Sequence, residues 1–203
     1  MTNYSITVTA VGAQLEKDIE TIGKQDPYLR ASVDLNDDDS YQKTFTDKNA
    51  GKTPHWNQSF TFELNGEPDI FIEIMDEEKG IDAIIGFAAI PISQAVDAPH
   101  AAINGQFNVF DYKGNITGQV NLILQAHGFN NSSNVQPEDI IDGQSYLNED
   151  QKARAKKIHR KEIAGDVGTA AAALLGGVLL GKTLYDKHKE KNAEGENEEV
   201  QEE

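Results

Sequence analysis

The chain has no cysteine among its 203 residues. Disulfides and thiol chemistry are therefore excluded, and a reducing cytoplasmic interior is the natural compartment. The opening stretch MTNYSITVTAVGAQ has no basic run, and it alternates where a secretory signal is continuously apolar. Catalytic signatures are also missing. The five histidines, at 55, 100, 127, 159 and 188, form no ligand spacing. GQSYL around Ser145 lacks the second glycine of a nucleophile elbow. LLGGVLLGKT ends in Gly-Lys-Thr but has neither the earlier glycine nor the preceding strand of a phosphate loop. No enzyme is expected.

Basic residues are scarce over most of the chain. Residues 1–134 hold eight Lys and Arg against nineteen Asp and Glu, and 135–150 add five acids and no base. Residues 151–191 reverse the sign, with ten bases against four acids, before six glutamates in the last twelve positions. An acidic body followed by a basic segment and an acidic tail argues against nucleic acid, whose phosphates are bound by Lys and Arg that displace counterions. It argues equally against unaided attachment of the body to an anionic membrane.

What is present, over residues 4–126, is a series of short alternating segments. Tyr4, Ile6, Val8 and Ala10 share one face, as do Leu29, Ala31, Val33 and Leu35, then Phe60, Phe62 and Leu64, then Ile70, Ile72 and Ile74, and finally Val120, Leu122 and Leu124. A segment near 41–46, the apolar run at 84–92 and QFNVFDY at 106–112 bring the expected strands to eight. NDDDS, NAGKTP, NGEP and KGN separate them. The fold class is all-β, an eight-stranded antiparallel β-sandwich over residues 1–128.

From 129 to 147 the sequence reads as a polar linker. A helix is predicted from Asn148, which suits its N-cap, with Glu149 and Asp150 in the first turn and six cations between Lys152 and Lys161. The uncharged run at 167–181 has fifteen residues, short of the roughly 20 that a spanning helix needs. Gly165, Thr169, Ala173, Gly177 and Gly181 recur every four positions. Three readings stand: a helix that self-associates or docks, a membrane-embedded hairpin or tilted anchor, or a flexible stretch. Residues 192–203 are expected to be disordered.

Asp26 stands directly before Pro27, which disfavours a helical conformation and fixes the aspartate in extended backbone at a strand mouth. A structural turn and a ligand are both open for it. IGKQDPYLRASV at 22–33, KTPHWNQSFTFEL at 52–64 and IEIMDEEKGIDAIIGFAAIPI at 72–92 resemble, in order and spacing, the motifs of a C2 domain, the calcium- and phospholipid-binding β-sandwich. Trp56 reads as core beside this resemblance, and Gly86 as a bulge or a close backbone approach.

The resemblance implies calcium as cofactor, gathered by carboxylates from loops that meet at one end of the sandwich. Carried over residue by residue, it nominates Asp26, Asp76 and Glu78, with Asp18 and Asp82 beside them. Ala83 stands where a further aspartate is common, and Asp18 precedes Asp26 by a slightly long spacing. Ile22 and Ile81 at the loop tips, with Lys24 and Lys79, are the candidate lipid contacts. The expected function is a peripheral membrane-targeting or adaptor protein that binds anionic phospholipid through calcium. The alternative is a calcium-independent protein-interaction scaffold that self-associates through its small-residue helix.

Overall fold

A computed structural model describes residues 3–16, 19 and 24–166, with side chains to residue 161. Asp18, Ile22, the run at 167–181 and the glutamate tail lie outside the described residues. The chain divides into two compact units, Met1–Arg160 and Lys161–Glu203, and the first is described here.

Among the described residues nine strands run in chain order: β1 (Tyr4–Leu15), β2 (Pro27–Ser32), β3 (Gln42–Lys43), β4 (His55–Leu64), β5 (Asp69–Asp76), β6 (Ala83–Pro91), β7 (Ala102–Phe110), β8 (Ile116–His127) and β9 (Ile140–Asp142). A short helix α1 (Ser93–Val96) follows β6, and helix α2 (Glu149–Asp166) follows β9. Pairing runs β3-β2-β5-β6 and β7-β8-β1-β4, and the two halves are joined where Phe87 of β6 meets Phe110 of β7. The inner faces of the halves pack into one apolar core. Ile6, Val8, Phe60, Phe107, Leu122 and Leu124 from one side meet Leu29, Ile70, Ile72, Ile74, Ile85 and Ile90 from the other. Trp56 is buried in it.

The alternation of apolar and polar side chains along each strand dictates this arrangement, since period-2 placement puts every apolar residue of a strand on one face. Two strands are shorter than the pattern suggests. β3 stops at Lys43 because the Thr44 hydroxyl, rather than a main-chain carbonyl, takes the Leu29 N–H at 3.0 Å. β2 stops at Ser32, whose hydroxyl accepts from Asp34 N at 2.9 Å and turns the chain away from β5. Leu35 then packs on the outer face with Phe71 and Ala89.

The stretch read as a linker is strapped to the sandwich. β9 pairs parallel to β7, Gly143 N donates to Gln106 O at 2.8 Å, and Tyr146 exchanges both main-chain bonds with Ala89. The Tyr146 hydroxyl donates to Asp69 Oδ2 at 2.6 Å. All three β9 residues are exposed, so no apolar alternation announces the strand.

Helix α2 starts as its sequence predicts. Asn148 Oδ1 accepts from Gln151 N at 2.7 Å, and Gln151 Oε1 accepts from Asn148 N at 3.4 Å, a reciprocal capping box. Gln151 and Ala155 form its buried face. Arg154 reaches Glu73 on the outer face of β5, and the His159 ring stacks on Tyr112 at 4.9 Å. Tyr112 lies in the β7–β8 turn, so the helix runs toward the end of the sandwich where that turn sits.

Candidate functional site

β1, β5 and β7 finish at one end of the sandwich, where β2, β4, β6 and β8 begin. The described residues of three loops meet there: 16, 19 and 24–26 between β1 and β2, 44–54 between β3 and β4, and 77–82 between β5 and β6. Close backbone approach seats the middle loop. Gly12 lies at a register shift in β1, and a Cβ there would sit 2.7 Å from Pro54 O. Ala13 and Leu15 donate to Pro54 O and Lys52 O. Gly86 in β6 also lies at a register shift, that of β5–β6, and a Cβ there would meet the side chain of Thr117 on β8, at Oγ1, at 2.6 Å.

Asp26 and Asp76 come together. Pro27 pairs with Asp76 across β2 and β5, so the Asp26 N–H points at the buried Asp76 carboxylate and donates to Oδ1 at 2.6 Å. The Asp26 carbonyl accepts from Glu77 N at 3.1 Å. Gln25, fully buried, donates from Nε2 to Gly51 O at 2.9 Å and accepts from Gly51 N through its own carbonyl. Gln25 and Asp26 are thus fastened to both neighbouring loops.

The Asp26 carboxylate faces the middle loop. Its Oδ1 accepts from Asn49 N at 2.7 Å and its Oδ2 from Lys48 Nζ at 3.0 Å. The Asn49 N–H first, and the Lys48 ammonium after partial burial has pushed the other way, hold this carboxyl below the usual aspartate range. Lys48 also pairs with Glu77 Oε2, while Glu77 Oε1 accepts from Thr46 Oγ1 at 3.0 Å. Hydrogen bonds to Glu77 and then to Asp26 raise the Lys48 pKa. The Lys48 hydrogen bond, with that of Thr46 second, lowers the Glu77 pKa.

The remaining expected residues are placed as follows. Asp82 Oδ1 accepts from Glu78 N at 3.0 Å, and Oδ2 accepts from the Tyr28 hydroxyl at 2.8 Å. Burial, then Asp82, pushes the Tyr28 pKa up. Glu78, Lys79 and Lys24 are exposed, and Ile81 is 43% exposed at the tip of the third loop. Ile19 and Ile116, each 45% exposed, add apolar surface at the same end. Sequence reasoning passed over Lys48, Glu77, Ile19 and Ile116. Glu77 carried a signal, lying within Asp-Glu-Glu beside Asp76. Lys48 carried none, because its loop has no periodicity and only the folded register brings it to Asp26.

The sequence profile of the C2 domain matches residues 4–109. The chain belongs to the C2 domain family. It is 29% identical over 94 residues to the 16 kDa phloem protein 2 of Arabidopsis thaliana, covering 45% of this chain and 61% of that protein. It is 27% identical over 100 residues to the Protein SRC2 homolog of the same plant, covering 46% of this chain and 31% of that one. The match therefore spans less than two thirds of either relative. In structure it resembles the first-lettered C2 domain, domain A, of a plant extended synaptotagmin 1, with TM-score 0.53, 18% identity, and 62% and 95% of the two chains covered. A calcium-bound structure of the paired C2 domains, A and B, of extended synaptotagmin 2 matches with TM-score 0.50, 19% identity, and 61% and 45% covered.

C2 domains commonly bind calcium and phospholipid membranes. Among the described residues, which do not include Asp18, the Asp26 and Asp82 carboxylates are taken up by the chain's own donors. Calcium takes about 6–8 oxygens, and among the described residues no group of three or more His, Asp or Glu side chains is placed to hold a metal. Both Asp26 oxygens are engaged by Lys48 and Asn49, and both Asp82 oxygens by Tyr28 and Glu78. No described helix is long and apolar enough to cross a membrane.

Proposed function

We propose that this chain is a non-enzymatic module that attaches peripherally to anionic phospholipid membranes through the loop end of its sandwich. Membership in the C2 family carries the reading. Ile19, Ile81 and Ile116 supply exposed apolar side chains that can enter the interfacial layer of a bilayer. Helix α2 supplies the charge that the acidic body lacks. Its exposed Lys156, Lys157 and Arg160 lie around His159, which stacks on the β7–β8 turn of that same end. Each such cation near an anionic surface is worth about 1 kcal/mol.

Calcium, which the family resemblance implies, would be held by Asp26, Asp76, Glu78 and Asp82 together with Asp18, which lies outside the described residues, and Lys48 occupies Asp26. The self-associating scaffold rests on residues 167–181, outside the described part of the chain. Sedimentation with phosphatidylserine-containing and pure phosphatidylcholine vesicles, each in calcium and in chelator, tests the reading. Pelleting with the anionic vesicles and its loss in Ile81→Glu are the expected results. A chain that stays in the supernatant under all four conditions is not a membrane-binding module.

A further inference from the structure

We infer that Lys48 is the resident cation of the loop end, tying Asp26 before β2 to Glu77 after β5 without calcium. The inference deepens the membrane reading by assigning the counter-charge of that surface to the chain itself. Its basis is a complete set of partners. The two carboxylates present four oxygens. Lys48 Nζ takes one from each, the Asn49 N–H takes the second of Asp26, and the Thr46 hydroxyl takes the second of Glu77.

All three donor groups come from one loop, and that loop is fixed independently. Gly51 and Gln25 exchange main-chain and side-chain bonds, Asp47 N donates to Pro27 O at 2.9 Å, and Asp47 Oδ2 accepts from His55 N at 2.9 Å. The ammonium is thus delivered to the carboxylates by a scaffold that is already ordered, as a bound divalent ion would otherwise have to order it. An exposed ion pair alone is weak and screened by salt. This one is combined with a main-chain N–H and a hydroxyl in a single network, whose members strengthen one another.

Calcium titration of the full chain without vesicles, by calorimetry and by calcium-dependent shift in melting temperature, tests the assignment. The wild type takes up calcium poorly. Lys48→Met, which removes the charge and keeps most of the side chain, binds calcium at least tenfold more tightly, and Asp26→Asn in the same chain cancels the gain. A Lys48→Met affinity equal to or weaker than that of the wild type overturns the inference. So does wild-type half-saturation in the range of calcium sensors, roughly 10⁻⁷–10⁻⁵ M, which decides the matter even if the variant does not fold. These titrations contain no lipid, so they judge Lys48 whether or not the chain pellets. Vesicle pelleting in chelator judges the membrane reading whether or not Lys48 proves idle.

Discussion

Arg154 of helix α2 donates from Nε to Oε1 of Glu73 at 2.7 Å, and the Glu73 side chain is 4% exposed. Arg30, paired with Glu73 across β2 and β5, donates to its other oxygen at 2.5 Å. The two guanidinium carbons lie 5.0 and 4.9 Å from the Tyr41 ring centroid. One carboxylate inside the outer face is therefore neutralised from two sides, by the sheet and by the helix that follows the sandwich.

Removing a partner from a buried ion pair costs about 3–5 kcal/mol when the charge is left alone. Arg30 remains in Arg154→Ala, so a smaller loss of about 2 kcal/mol is expected in urea unfolding. Protection of the α2 amides from hydrogen exchange should fall together with it. Unchanged α2 protection would show that Ala155, Gln151 and the His159–Tyr112 stack hold the helix without Arg154.

Gly143 marks how closely the strap before α2 is seated. A Cβ added there collides with the Phe107 ring, which is itself fully buried and has Gly105 on another side. Overpacking a filled site costs about 1–3 kcal/mol. In Gly143→Ala the strap can lift instead of straining the core. Exchange at the amides of residues 143 and 146, which bond Gln106 O and Ala89 O, should rise by tenfold or more while β1 and β8 stay protected. Equal protection in variant and wild type would mean that Phe107 gives way.

These two sites show where the sequence was readable. Ile70, Ile72 and Ile74 point inward as alternation requires, and Trp56, Asn148 and the two-sheet class follow from side-chain type and spacing. Residues whose role depends on a distant partner could not be found that way. Glu73 occupies the outward position between Ile72 and Ile74, where a solvated carboxylate is ordinary. Arg30 from β2 and Arg154 from the helix cover it together. Gly143 and Tyr146 sit in a polar stretch whose strand is exposed on every residue, and Lys48 meets Asp26 only through three loops. For Asp26 the place at the strand mouth, set by Pro27, was legible. The N–H it presents to Asp76, and the lysine on its carboxylate, belong to tertiary register.

The β7–β8 turn offers a pH test away from the loop carboxylates. Asp111 Oδ1 accepts from Lys113 N at 2.8 Å and Asn115 N at 2.9 Å, and Oδ2 accepts from Asn115 Nδ2 at 2.8 Å. Burial pushes this carboxyl up, but the hydrogen bonds from Asn115, Lys113 and Gly114 together bring it below its ordinary value of 3.8. A depressed folded-state pKa means stability that is complete above the unfolded value and is lost as pH falls through the folded one. Asp111→Ala should cost about 1 kcal/mol at pH 7. The gap to the wild type should stay constant down to about pH 5 and narrow only below 3.8. A gap that closes between pH 5 and 7 would point to another titrating group.

The charge on α2 gives the membrane reading a quantitative form. Lys156 and Lys157 are exposed, in the helix that stacks His159 on Tyr112 of the β7–β8 turn. At about 1 kcal/mol per cation close to an anionic surface, Lys156→Gln with Lys157→Gln should weaken partitioning onto phosphatidylserine vesicles by about 2 kcal/mol, roughly thirtyfold. The effect should shrink as salt shortens the Debye length from about 10 Å at 0.1 M toward 3 Å at 1 M. Ile81→Glu should instead weaken binding at every salt concentration, because it removes inserted apolar surface. If the double substitution leaves vesicle binding and its salt dependence unchanged, α2 faces away from the bilayer and the loop tips alone make the contact.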